Sequence, residues 1–141
     1  MNLSEIKQSI SKALGIIRPD MLINRSDDEI IEIALKCIEL DKNTGDNLRV
    51  IDAYKSFQDP GSPIPENATK INGITDKMVK DKSIDWKTVE DIFQISQLIV
   101  AHNSFFDRSF MDRSIEISKR KIWACSINDI DWEIKKFKSA K

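Results

Sequence analysis

The sequence has one histidine, two cysteines and almost no net charge, and each scarcity narrows what the chain can be. Cys37 and Cys125 lie far apart and form no CxxC pair. That spacing argues against a structural zinc site, and reduced thiols are expected. Lys and Arg number 22 against 23 Asp and Glu, for a net charge of -1. No global basic field exists of the kind that holds nucleic acid by charge alone. An enzyme that grips a strand end through metal ions is still compatible with that balance. No apolar run is long enough to span a bilayer. The start, Met1-Asn2-Leu3-Ser4-Glu5, has neither the basic region nor the apolar core of a secretory signal. The expected compartment is the cytoplasm, with no membrane partner.

What is present describes a folded protein. The chain has 141 residues, 40% hydrophobic and 32% charged, enough for one soluble domain with a real core. Residues 3–14 read as an amphipathic helix, with Ser4 as cap and Ile6, Ile10, Ala13 and Leu14 at helical spacing. Gly15 supplies a stop. Pro19 makes the apolar stretch after it a poor interior strand, because it lacks an amide donor.

A hairpin is expected next, with strands over residues 29–40 and 48–58 and a turn over 41–47. Three of the four prolines, Pro60, Pro63 and Pro65, force a loop. Short helical pieces follow at 66–70 and 76–80, then a helix over 85–95 with Trp86, Val89, Ile92 and Phe93 inward. A strand at 98–101, a helix over 106–118, a strand at 121–124 and a final helix over 128–136 complete the order. An antiparallel hairpin followed by helix, strand, helix and strand is an α/β pattern.

The most informative segment is Val100-Ala101-His102-Asn103-Ser104-Phe105-Phe106-Asp107. It sets an amide and a carboxylate between an apolar strand end and a helix start. The helix carries Phe106, Phe110, Met111, Ile115 and Ile117 on a mostly apolar face. A carboxylate presented there suits a hard divalent cation. The segment resembles the second of three motifs of the DEDD, or DnaQ-like, superfamily of 3′–5′ exonucleases. Three further stretches match in the family's order. Residues 28–34 resemble its second strand. Pro60 through Pro65 and then Gly73-Ile74-Thr75 resemble its proline loop and Gly-Ile-Thr turn. Trp123-Ala124-Cys125-Ser126 resembles the strand after the second motif. The resemblance runs from about residue 24 to residue 132.

The resemblance implies a ribonuclease H-like α/β fold, a mixed sheet with flanking helices. It implies a substrate class of single-stranded nucleic acid 3′ ends, Mg2+ or Mn2+ as cofactor, and a DNA polymerase subunit as partner. It implies a site in which Asp107 is the catalytic metal ligand. Asn103, Phe106, Gly73, Ile74 and Thr75 would contact substrate. Trp86, Trp123 and Trp132 are expected in core or edge positions, since each sits among apolar periodic neighbours.

Two of the three motifs have no match. Counting back without gaps puts Ile17 and Pro19 where the first motif's Asp and Glu should stand, and neither binds a metal. The third motif's His and Asp are not found up to Lys141. His102 lies inside the second motif and does not replace that histidine. The expectation is therefore a partial exonuclease fold with its central first strand missing or replaced. Residues 1–23 would be a helix and a segment foreign to the family, and 24–141 an incomplete exonuclease domain. The alternatives are a non-catalytic nucleic-acid or protein binding module, or one part of a split exonuclease completed by a complementary fragment.

Overall fold

A computed structural model describes residues 28–44 and 46–129. The expected helix at 3–14, Ile17, Pro19, Trp132 and the segment from residue 130 onward lie outside these residues.

β1 (Glu32–Leu40) and β2 (Asn47–Phe57) form an antiparallel hairpin. The turn between them is organised by Asp41, whose Oδ1 accepts from the backbone amides of Asn43 and Thr44 at 2.8 and 3.0 Å. This is the local bonding that makes Asp a turn residue. The register shifts twice, between Cys37 and Ile38 and between Glu39 and Leu40. Such bulges sharpen the twist of a ribbon.

The proline loop leads into α1 (Glu66–Asn72) and α2 (Asp76–Val79). Asp76 Oδ1 accepts from the backbone amide of Ile64 at 2.8 Å, so the loop is pinned to the start of α2. α3 (Trp86–Ile95) is capped by Asp85, which accepts from the amides of Lys87 and Thr88. β2 fixes where this helix starts. The amide of Ile84 donates to Gln58 Oε1 at 2.9 Å and that of Asp85 to the Tyr54 hydroxyl at 2.7 Å.

β3 (Leu98–Ala101) and β4 (Ile122–Cys125) pair in parallel, joined through α4 (Ser104–Ser114) and a 3-10 turn (Glu116–Arg120). The helix expected over 106–118 thus starts two residues earlier and stops at Ser114. The stop has a tertiary cause. Ile115 takes an extended conformation, φ −139° and ψ 130°, and buries its side chain in the core. Ser118 then turns inward and donates to Asp112 Oδ1 at 2.6 Å. Its carbonyl accepts from Trp123 Nε1 at 3.2 Å.

The main core joins Ile30 and Ile33 from the hairpin side to Val89 and Phe93 of α3, and to Phe110 and Met111 of α4. Each large apolar side chain fully buried there contributes about 1.5–3 kcal/mol. A second, smaller cluster of Ile31, Ile64, Ala68, Ile74 and Val79 holds the proline loop, α1 and α2. The architecture is mixed α/β, with small sheets and helices around them. Among the described residues β1 pairs with β2 alone and β3 with β4 alone.

Candidate functional site

The site grows from the end of β3. After Ala101 the chain must leave the sheet and enter α4 within two residues. Asn103 makes the bend in the left-handed region, φ 64° and ψ 54°. Asparagine is among the few non-glycine residues that tolerate that conformation. Its carbonyl accepts from the Phe106 amide at 2.9 Å, and its side chain makes no capping bond.

His102 is half-buried, and its Nδ1 lies 2.8 Å from Ser126 Oγ. A hydroxyl just past the end of β4 thus holds the imidazole. Ser126 is fully buried, and its amide donates to the Ala101 carbonyl at 3.0 Å. The sequence marks Ser126 only as the residue after a strand, so nothing in it pointed to this contact.

Asp107 sits in the first turn of α4 and is 4% exposed. The positive end of the helix favours a carboxylate at that place. Asp107 lines a cleft of 80 Å³ between β1 and β3. Residues 34–36 and 98–101 wall that cleft, and Phe93, Met111 and His102 also face it. Phe106 stacks edge-on against Phe110 with centroids 5.0 Å apart and packs on the main core. The adjacent Phe105 is 81% exposed. The strand–helix junction thus places His102, Asn103, Phe106 and Asp107 together.

The Gly-Ile-Thr turn lies on the other apolar cluster. Gly73 ends α1 with φ 74°, and its amide donates to the Thr69 carbonyl at 2.8 Å. The positive φ is the reason for glycine there. Ile74 points inward, buried in the smaller cluster, and its amide donates to Asn72 Oδ1 at 2.8 Å. Thr75 faces outward. Of the two side chains beyond the glycine, only that of Thr75 is open to solvent.

Cys125 closes the far side of the junction. Burial pushes its thiol up. Backbone hydrogen bonds from Asn128 and Ser104, the Ser104 hydroxyl and a further bond from Ile127 outweigh that and leave it below the ordinary thiol range. Trp123 packs against Phe93 with centroids 6.1 Å apart, and Trp86 is half-buried against the same core. Both are structural, as their apolar neighbours suggested.

Among the described residues no three His, Cys, Asp or Glu side chains converge on a common point. Magnesium demands near-octahedral oxygen ligands, usually one or two carboxylates with substrate phosphates. Asp107 by itself does not fit a two-ion centre.

The scaffold is mixed α/β with a buried carboxylate at a strand–helix junction. The chain belongs to the Exonuclease family, whose pattern matches residues 20–136. It is similar to DNA polymerase III subunit epsilon of Buchnera aphidicola subsp. Acyrthosiphon pisum, 34% identical over 105 residues. That match covers 70% of this chain and 39% of the relative. It is also similar to DNA polymerase III PolC-type of Caldanaerobacter subterraneus subsp. tengcongensis. There the identity is 32% over 91 residues, 63% of this chain and 6% of that protein. The corresponding PolC-type protein of Pediococcus pentosaceus is 38% identical over 81 residues, 55% and 6% of the two chains. The chain spans well under two thirds of the length of these relatives. No helix among the described residues is long and apolar enough to cross a membrane.

Proposed function

We propose that this chain is a catalytically incomplete exonuclease domain, related by descent to enzymes that act on single-stranded nucleic acid 3′ ends. The observation that supports the reading is that, among the described residues, Asp107 belongs to no group of three or more His, Cys, Asp or Glu side chains. It occupies the second-motif place at the start of α4, buried and facing the cleft. The chain has Ile17 and Pro19 where two partner carboxylates would stand. Hydrolysis by two divalent ions needs several carboxylates at once, because the ions bring the attacking and leaving oxygens together. Like charges cluster stably only around such cations. One carboxylate supplies neither site, so Mg2+ or Mn2+ belongs to the ancestry of the domain, and no chemical step is assigned to this chain alone.

The domain assignment follows the same line. In this reading residues 24–141 are an incomplete exonuclease domain and 1–23 a segment foreign to the family, whose first strand is missing or replaced. Asp107 is the metal-ligand descendant. Asn103, Phe106 and the Gly73-Ile74-Thr75 turn descend from the substrate-contacting surface, with Ile74 acting through packing. The similarity to polymerase III components makes a DNA polymerase subunit the partner to test first, and the cytoplasm the place to look for it.

The deciding experiment is a nuclease assay on a labelled single-stranded oligonucleotide with Mg2+ or Mn2+. The purified chain is expected to release no mononucleotide above background. Enzymes accelerate such reactions by about 10⁶-fold or more, so a retained site would be obvious. Metal-dependent release that disappears in Asp107→Ala would overturn the reading.

A further inference from the structure

We propose that the chain associates head to tail with a second copy of itself, the tip of the β1–β2 hairpin of one copy seating on the starting ends of β3 and β4 of the next. Two exposed apolar patches meet in this contact. The first is on the hairpin. Cys37 pairs with Asp52 and Ile38 with Val50, which leaves Ile51 over; Glu39 pairs with Arg49 and Leu40 with Asn47, which leaves Leu48 over. A residue left over at a bulge is re-aimed out of the regular pleat. Leu48 is 58% exposed, and Val50 and Ile51 are also exposed. The second patch is on the other sheet. Leu98 and Ile122 are register partners in the parallel pair, so their side chains stand side by side on one face. Both are exposed, Ile122 at 70%. The next pair, Ile99 and Trp123, packs against the main core. Lys121 is extended, φ −82° and ψ 151°, so Arg120 and Ile122 flank it on one side. Lys121 itself donates to the carbonyls of Gln94 and Ser96 at 3.3 and 2.8 Å. This patch lies at the opposite ends of β3 and β4 from the junction that holds Asp107.

Charge complementarity names the occupant. Residues 116–122 carry three cations and one carboxylate, and residues 39–52 carry four carboxylates and two cations. Arg49 is already paired with Glu39, and Lys119 with Glu116. Arg120 and Asp52 are both exposed, and neither makes an ion pair among the described residues. Setting Leu48, Val50 and Ile51 onto Leu98 and Ile122 brings Asp52 to Arg120 at the rim. Both patches are exposed in one chain, so neither covers the other, and a second copy offers each what it lacks. Contact between two different patches is heterologous and grows into rings or open chains, where a two-fold contact stops at a dimer. A few aliphatic side chains on each side make a contact far smaller than the roughly 800 Å² per partner of a stable complex, so the association is weak. It stands apart from the incomplete-domain reading and does not need it.

The test is sedimentation velocity of the full chain at concentrations up to about 1 mM. The mean mass should rise with concentration and pass that of a dimer. Ile122→Asn and Ile51→Asn, both at exposed positions, should each weaken association by about tenfold and leave the melting temperature unchanged. An equimolar mixture of these two variants should form dimers and little larger, because only one intact hairpin meets one intact patch. Asp52→Lys and Arg120→Asp should each weaken association by up to about fivefold, and the two together in one chain should restore it. A chain that stays monomeric at the highest concentration overturns the proposal. So does association that neither asparagine variant weakens, or a mixture no more associated than either variant by itself. A mass that stops at the dimer in the unaltered chain also overturns it, since that outcome marks a two-fold contact.

Discussion

His102 and Ser126 tie the ends of two parallel strands together, with Nδ1 2.8 Å from Oγ. The bond lies where β3 gives way to α4, at the residue just before the bend at Asn103. It is a side-chain contact that crosses 24 residues of sequence.

Removing that bond should cost stability without unfolding the domain. Ser126→Ala leaves the imidazole short of a partner, and such losses run at about 1–3 kcal/mol. A double-mutant cycle with His102→Ala should return a coupling of about 0.5–1.5 kcal/mol. Urea denaturation of the four proteins measures it. Additive effects would show that the contact contributes nothing to folding.

Phe93 is the hinge of the main core. It is 1% exposed on α3, packs against Trp123 of β4, and shares the main core with Ile30 and Ile33 of the hairpin side. Phe93→Ala should destabilise by about 3–5 kcal/mol, a large share of the roughly 5–15 kcal/mol typical of a domain. Ile95, on the same helix but 56% exposed, should tolerate alanine within about 0.5 kcal/mol. Thermal melts of the two variants give the comparison.

Gly73→Ala tests backbone conformation in isolation. An added Cβ at Gly73 meets nothing within 4 Å, while φ is +74°. Any loss is therefore strain and not collision, about 1–2 kcal/mol for a left-handed alanine. Gly73→Asn should lose less, because asparagine tolerates the region. Equal losses in the two variants, read from denaturation midpoints, would contradict the conformational explanation.

Asp85 couples stability to acid. Its carboxyl is held below the usual 3.8 by the Thr88 hydroxyl first, then by the Thr88 and Lys87 amides, against a small opposing effect of burial. A carboxyl depressed in the folded state stabilises above its unfolded value, and that contribution disappears as pH falls through the folded value. Asp85→Asn keeps a capping oxygen but has no charge to lose. The stability difference between wild type and Asp85→Asn should therefore shrink as pH drops below about 4. Melting temperatures across that range decide it.

Much of the fold was legible because local chemistry and hydrophobic period agree. The strand Leu98–Ala101 is a short apolar run between turn residues, and it formed as read. The helix read over 85–95 formed as Trp86–Ile95 with Val89, Ile92 and Phe93 buried, and Asp85 caps it. Gly73 takes the positive φ that its place between two helical pieces demands. The motif segment around Asp107 was readable for another reason: it keeps enough of its family's order to be matched as sequence.

Other features needed the folded chain. The periodic face through Ile115 and Ile117 continues past Ser114, so period alone runs the helix to residue 118. Burial of Ile115 in an extended conformation and the bond from Ser118 to Asp112 end it sooner. Ile74 sits in a turn that by itself looks open, yet the neighbouring helices bury it. The partner of His102 comes from a strand that sequence places 24 residues away. The composition showed early that the two cysteines lie far apart with no CxxC pair, against a structural zinc site. Where the remaining carboxylate points was decided by tertiary structure, because α4 is aimed by contacts with β4 and the core that no local pattern encodes.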